Sequence, residues 1–117
     1  MKTPANEFVP SKGASKPQPK IWFQRRELSA ILHVYGKMVA AGEWRDYAID
    51  AAKDYAAFSI YRRSSEAPTY TIEKRPDLAR KQGAYAVINA TGQVLKRGRE
   101  LSTVLKVFDK RRFSVVE

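Results

Sequence analysis

The sequence predicts an α+β fold: an antiparallel β-meander of about five strands, with a sixth short strand ahead of them, covered by two amphipathic helices in the order β-α-β-β-β-β-β-α. Three observations predict it. Residues 26–37 read RELSAILHVYGK and residues 99–110 read RELSTVLKVFDK, so that at an offset of 73 Arg26, Glu27, Leu28, Ser29, Leu32, Val34 and Lys37 each meet their own residue type. Both copies space their apolar residues for one stripe of an α-helix. Between the copies the apolar pattern changes to alternation of period two broken by turn residues, as half-buried strands require.

The elements follow in chain order. Residues 1–19 hold Pro4, Pro10, Pro17 and Pro19 among lysines, too little apolar surface to offset the entropy of ordering, and are expected to be a flexible tail ahead of a single α+β domain over residues 20–117. Ile21-Trp22-Phe23 reads as the short first strand, with Trp22 as a large apolar anchor. From Arg26 the period becomes helical. Leu28, Ile31, Leu32, Tyr35, Met38 and Val39 form the expected buried stripe, with Glu27, Ala30, His33 and Lys37 opposite, and Gly42 supplies the C-terminal stop. Gly36, unfavourable inside a helix by about 1 kcal/mol relative to alanine, suggests a close backbone approach to the sheet.

Trp44–Asp50 then alternates, with Tyr47 and Ile49 on one face, and Lys53-Asp54 makes a turn into a second strand through Phe58 and Ile60. A helix over residues 48–57 is the competing reading, but it leaves Tyr47 and Ile49 without a common face. Thr69–Lys74 is the third strand, with Tyr70 and Ile72 inward, and Pro76 ends it. Residues 77–83 (DLARKQG) form a basic loop into a fourth strand over Ala84–Ala90, and Thr91-Gly92 turns into a fifth over Gln93–Lys96. The second helix buries Leu101, Val104, Leu105 and Phe108 and presents Arg99, Thr103, Lys106 and Lys110 outward.

Composition narrows the functions. The net charge is +10, and residues 62–112 alone carry thirteen basic and five acidic residues. A basic half of this kind attracts polyanions through a field that salt screens. With no cysteine there is no disulfide and no thiolate chemistry, and one histidine offers little to a metal. No apolar run is long enough to span a bilayer, and the first twenty residues lack a secretory core, so a cytoplasmic protein without membrane partners is expected.

No catalytic, cofactor or metal signature emerges. His33 reads as a surface residue, Asp46 and Asp50 as strand-face acids and Asp54 as a turn acid, solvated or paired with neighbouring Lys and Arg, and Gly83, Gly92 and Gly98 have no phosphate-loop spacing. The constellation with a mechanism is basic: Arg62-Arg63, Lys74-Arg75, Arg80-Lys81, Lys96-Arg97-Arg99 and Lys110-Arg111-Arg112. Alternating strand directions divide these between the two ends of the sheet. Arg80, Lys81, Arg97, Arg99 and Lys106, with Lys110 further along the helix, are the expected phosphate contacts. The expected function is thus a non-enzymatic nucleic-acid-binding domain. The alternative is a protein-interaction or regulatory module, with a partner protein or a second copy of itself.

The runs YGKMVAAGEWRDYAID (residues 35–50) and YRRSSEAPTYTIEKRPDLARKQGAYAVINATGQVLKRGREL (residues 61–101) also resemble domain of unknown function family 2794, short proteins of alphaproteobacteria. The resemblance covers about residues 22–112. It implies a bacterial, cytoplasmic source, and it implies no functional residue.

Overall fold

A computed structural model describes residues 19–62 and 67–109. The expected tail, Arg63 and Lys110 to Arg112 lie outside the described residues, apart from Pro19 at the end of the tail.

The first helix, α1 (Arg25–Ala40), starts where the Gln24 amide donates to Glu27 Oε1 at 2.7 Å, supplying a partner for one of the amides that a helix start leaves open. It ends in a Schellman turn. Gly42, at φ +80°, donates to the Val39 carbonyl and Glu43 donates to that of Met38, both at 2.9 Å.

Five strands follow: β1 (Asp46–Ala51), β2 (Ala56–Tyr61), β3 (Tyr70–Lys74), β4 (Tyr85–Asn89) and β5 (Val94–Gly98). They pair antiparallel in chain order, β1-β2-β3-β4-β5, the meander that the alternation predicted. A single 3-10 turn, Pro76–Leu78, stands in the β3–β4 loop. The second helix, α2 (Leu101–Leu105), is shorter than expected; a turn at Lys106 interrupts it and residues 107–109 are helical again.

Both helices lie on one face of the sheet. Phe58, Ile72 and Val87 form a lateral row across β2, β3 and β4, and with Ile60 they are fully buried against Ile31 and Met38 of α1 and Val104 and Phe108 beyond it. Trp44, Tyr70 and Phe108 close one side, with the Phe108 ring edge-on to Trp44 at 4.8 Å and to Tyr70 at 5.2 Å. Such ring pairs add to what area burial contributes. On the opposite face Glu73, Ala86 and Arg97 are lateral neighbours, and the Glu73–Arg97 ion pair at 3.8 Å arches over the Ala86 methyl. That accounts for an alanine with no exposed surface on a face that neither α1 nor α2 covers.

Four expectations need correction. Ile21–Phe23 is not a strand: its amide at Ile21 donates to the Ala52 carbonyl at 2.7 Å, but no ladder continues, because the chain must turn at once into α1. Trp22 is not a core anchor and is 61 % exposed. The buried stripe of α1 is rotated. Leu32 and Val39 are exposed beside Tyr35, whose ring meets Tyr47 of the edge strand at 5.0 Å, while Glu27 turns toward the sheet. Finally, a Cβ placed on Gly36 meets nothing within 4 Å, so that glycine marks no close approach.

Candidate nucleic-acid interface

The meander fixes which residues share an end of the sheet. Because strand directions alternate, β1, β3 and β5 finish where β2 and β4 begin, and the pairings Ala51 with Ala56, Lys74 with Tyr85 and Tyr85 with Gly98 mark that end. The chain enters α1 at the same end. The Trp22 carbonyl accepts from Lys74 Nζ at 2.9 Å, next to the last pairing of β3.

The junction between the β3–β4 loop and the end of β5 is built on two glycines. Gly83 sits at φ +108°, a conformation that side-chain-bearing residues rarely adopt. A Cβ there would lie 2.3 Å from the Gly98 carbonyl carbon and 2.8 Å from the Arg99 nitrogen, so the two backbones are in direct contact. Behind this contact Leu78 accepts from Lys81, Gln82 and Gly83, which holds the loop as a compact turn.

This contact brings four of the expected residues together. Arg99 Nη2 donates to the Arg80 carbonyl at 3.4 Å, Arg97 Nη1 donates to the Gly83 carbonyl at 3.3 Å, and Lys81 is exposed on the same loop. Arg97 differs from the others. Its side chain is 18 % exposed and is committed to Glu73, so it supports the loop more than it presents charge. Lys106 stands apart, in a shallow groove of about 480 Å³ between the two helices lined also by Ser29, His33, Lys37, Ser102 and Asp109. In that groove the repeated sequences face each other, Ser29 with Ser102 and His33 with Lys106 at the offset of 73. Lys110 lies outside the described residues. Arg62 is at the other end of the sheet.

Three further residues were not among the expected phosphate contacts. Arg75, at the end of β3, belongs to the same strand end as Arg80 and Arg99; its guanidinium lies 4.8 Å over the Tyr55 ring and its Nε is 3.1 Å from Glu73. Tyr55 and Trp22 complete the surface. The signal was available for Arg75, since a strand end and the loop that follows it must share one end of the sheet.

Beneath this surface lies a polar clamp. Lys74 Nζ is 2.8 Å from Glu27 Oε1, and the Tyr85 hydroxyl donates to Glu27 Oε2; Lys74 and Glu27 side chains are only 11 % and 12 % exposed. Burial pushes the Glu27 carboxyl up, but the Lys74 and Tyr85 hydrogen bonds, the Gln24 amide and the Lys74 charge together hold it below the ordinary value. For Tyr85, burial and then the hydrogen bond and charge of Glu27 push the phenol up to about 12. The folded state therefore binds the Tyr85 proton more tightly than the unfolded chain. Its contribution is complete below pH 10 and is lost between pH 10 and 12. Tyr85→Phe removes that dependence, so wild-type and variant urea midpoints should converge as the pH is raised across this window. Midpoints that stay parallel would show that the phenol does not titrate there.

Among the described residues no group of three His, Cys, Asp or Glu side chains is placed to hold a metal ion, and no helix is long and apolar enough to cross a membrane. Residues 21–105 match the family model whose description is Protein of unknown function (DUF2794). No curated protein and no solved structure matches the chain.

Proposed function

We propose, for a chain that belongs to the DUF2794 family of proteins of unknown function, a non-enzymatic role as a nucleic-acid-binding domain of the bacterial cytoplasm. The observation that carries the reading is the convergence of Arg80, Lys81 and Arg99 at one sheet end, around the Gly83–Gly98 contact, with Arg75, which is paired with Glu73, at the same strand end. The cations stand at the ends of β3 and β5 and on the loop between β3 and β4, across strand spacings of about 4.8 Å, so they can meet neighbouring phosphates of one backbone. The loop backbone that presents the charges is fixed, which lowers the ordering cost of binding. The non-enzymatic part of the reading rests on the clamp: where an amine, a phenol and a carboxylate meet, each already has a protein partner.

Fluorescence anisotropy of a labelled duplex, titrated at several salt concentrations, tests the proposal. Four phosphate contacts give a slope of log K against log salt of about −4. Arg80→Ala combined with Arg99→Ala should make that slope shallower by about 2, whereas Arg62→Ala at the opposite end leaves it unchanged. Absence of binding to DNA or RNA at low salt would sink the reading.

A second reading, a protein-interaction or homodimer module, is favoured by a different observation. Leu32, Val39, Tyr47 and Ile49 are each 36–41 % exposed along α1 and the edge strand β1. A dimer in sedimentation that does not weaken with salt, together with negligible polyanion affinity, would favour it.

A further inference from the structure

We infer that the strand-end surface takes single-stranded nucleic acid and that Trp22 is the platform on which a base stacks. The inference rests on the nucleic-acid reading above and names its substrate class. Trp22 is 61 % exposed, although tryptophan is the residue with most apolar surface to hide. Its position is not that of a loose terminus. The backbone is held on each side: Ile21 donates to the Ala52 carbonyl at 2.7 Å, Lys74 Nζ donates to the Trp22 carbonyl at 2.9 Å, and two residues on, the Gln24 amide is bound to Glu27. The adjoining Phe23 packs against the core. An indole left in water on a backbone pinned at this many points is pre-set for a flat partner.

The neighbours define that partner. Lys74, which holds the Trp22 carbonyl, is followed by Arg75, and the Arg75 guanidinium lies over Tyr55, whose own carbonyl accepts from the Ala52 amide at 2.8 Å. An exposed aromatic thus stands at one side of the strand-end surface and the cations of Arg75, Arg80 and Arg99 extend away from it. A phosphodiester chain following the cations carries bases, and the base at the Trp22 end meets an open ring. A single strand offers a free face along its length, whereas a duplex leaves one only at its terminal pairs.

The test uses the full chain with a twelve-nucleotide oligothymidylate and a twelve-base-pair duplex, each at low salt. The second tryptophan, Trp44, is buried, so quenching of tryptophan emission reports on Trp22. The single strand is expected to quench it. Trp22→Ala should weaken single-strand binding about tenfold and leave duplex binding unchanged, and Trp22→Phe, which keeps a ring, should retain most of the affinity. Single-strand affinity unaltered in Trp22→Ala, or lost equally for both oligonucleotides, overturns the stacking role while the basic surface stands. Binding of neither oligonucleotide by the unmodified protein overturns the parent reading and this inference with it.

Discussion

Gly83→Ala is expected to lower the unfolding free energy by on the order of 3 kcal/mol, read as a lower urea midpoint at unchanged slope. Two costs combine. The backbone at φ +108° is strained for any residue with a Cβ, and that Cβ would lie 2.3 Å and 2.4 Å from the carbonyl carbon and oxygen of Gly98. Those atoms are main chain, so no rotamer change relieves the overlap. The loop or the end of β5 must move. Gly92→Ala is the matched control: it has φ +87° but open space around the new methyl, so it carries the conformational cost alone, about 1 kcal/mol. If both variants lose the same stability, the backbone contact is not what holds the loop. Where Gly83→Ala is folded, it should also bind polyanions more weakly, because it separates Arg80 and Lys81 from Arg99.

Lys74→Met should cost about 3 kcal/mol. The ammonium serves both Glu27 Oε1 and the Trp22 carbonyl, and its removal leaves a largely buried carboxylate with only the Tyr85 hydroxyl and the Gln24 amide. Replacing both partners is milder than replacing one, since the uncompensated charge disappears. Glu27→Gln with Lys74→Met should therefore be more stable than the sum of the two single losses predicts, by about 1–2 kcal/mol in a urea double-mutant cycle. Strict additivity would show that the two side chains do not interact.

Much of the fold could be read from spacing. Period two in Phe58/Ile60 and Tyr70/Ile72 gave the strands and their helix-facing sides, that in Tyr47/Ile49 gave β1 although both side chains stay exposed at the sheet edge, and the stripe of Leu101, Val104, Leu105 and Phe108 gave the buried side of α2. Where the reading went astray, a charge or an aromatic was judged by type and not by position. Lys74 shares strand parity with Tyr70 and Ile72 and so belongs on the helix side, yet it was grouped with Arg75 only as a basic doublet. Its partner Glu27 then rotates the first turns of α1 inward, which leaves Leu32 and Val39 on the flank. Neither shift is visible without the pair, because the two residues are 47 positions apart. Trp22 was misjudged for a similar reason: indole area argues for burial, and only the placement of its backbone shows that it remains in water. Of the candidate site, the grouping of Arg80, Lys81, Arg97 and Arg99 followed from counting strand directions. The commitment of Arg97 to Glu73 and Gly83 did not, since it depends on a contact across the outer face.

The chain-order meander also sets a timetable for folding. Each strand pairs only with its sequence neighbours, so the sheet can zip hairpin by hairpin with little loop-closure cost. The clamp on α1 is the opposite kind of contact. Trp22 and Glu27 wait for Lys74, and Glu27 waits again for Tyr85, separations of 52, 47 and 58 residues. On the ribosome, therefore, the first helix leaves the exit tunnel well before its anchor exists, and until Tyr85 follows, its apolar face has only the early strands or a chaperone to shelter it.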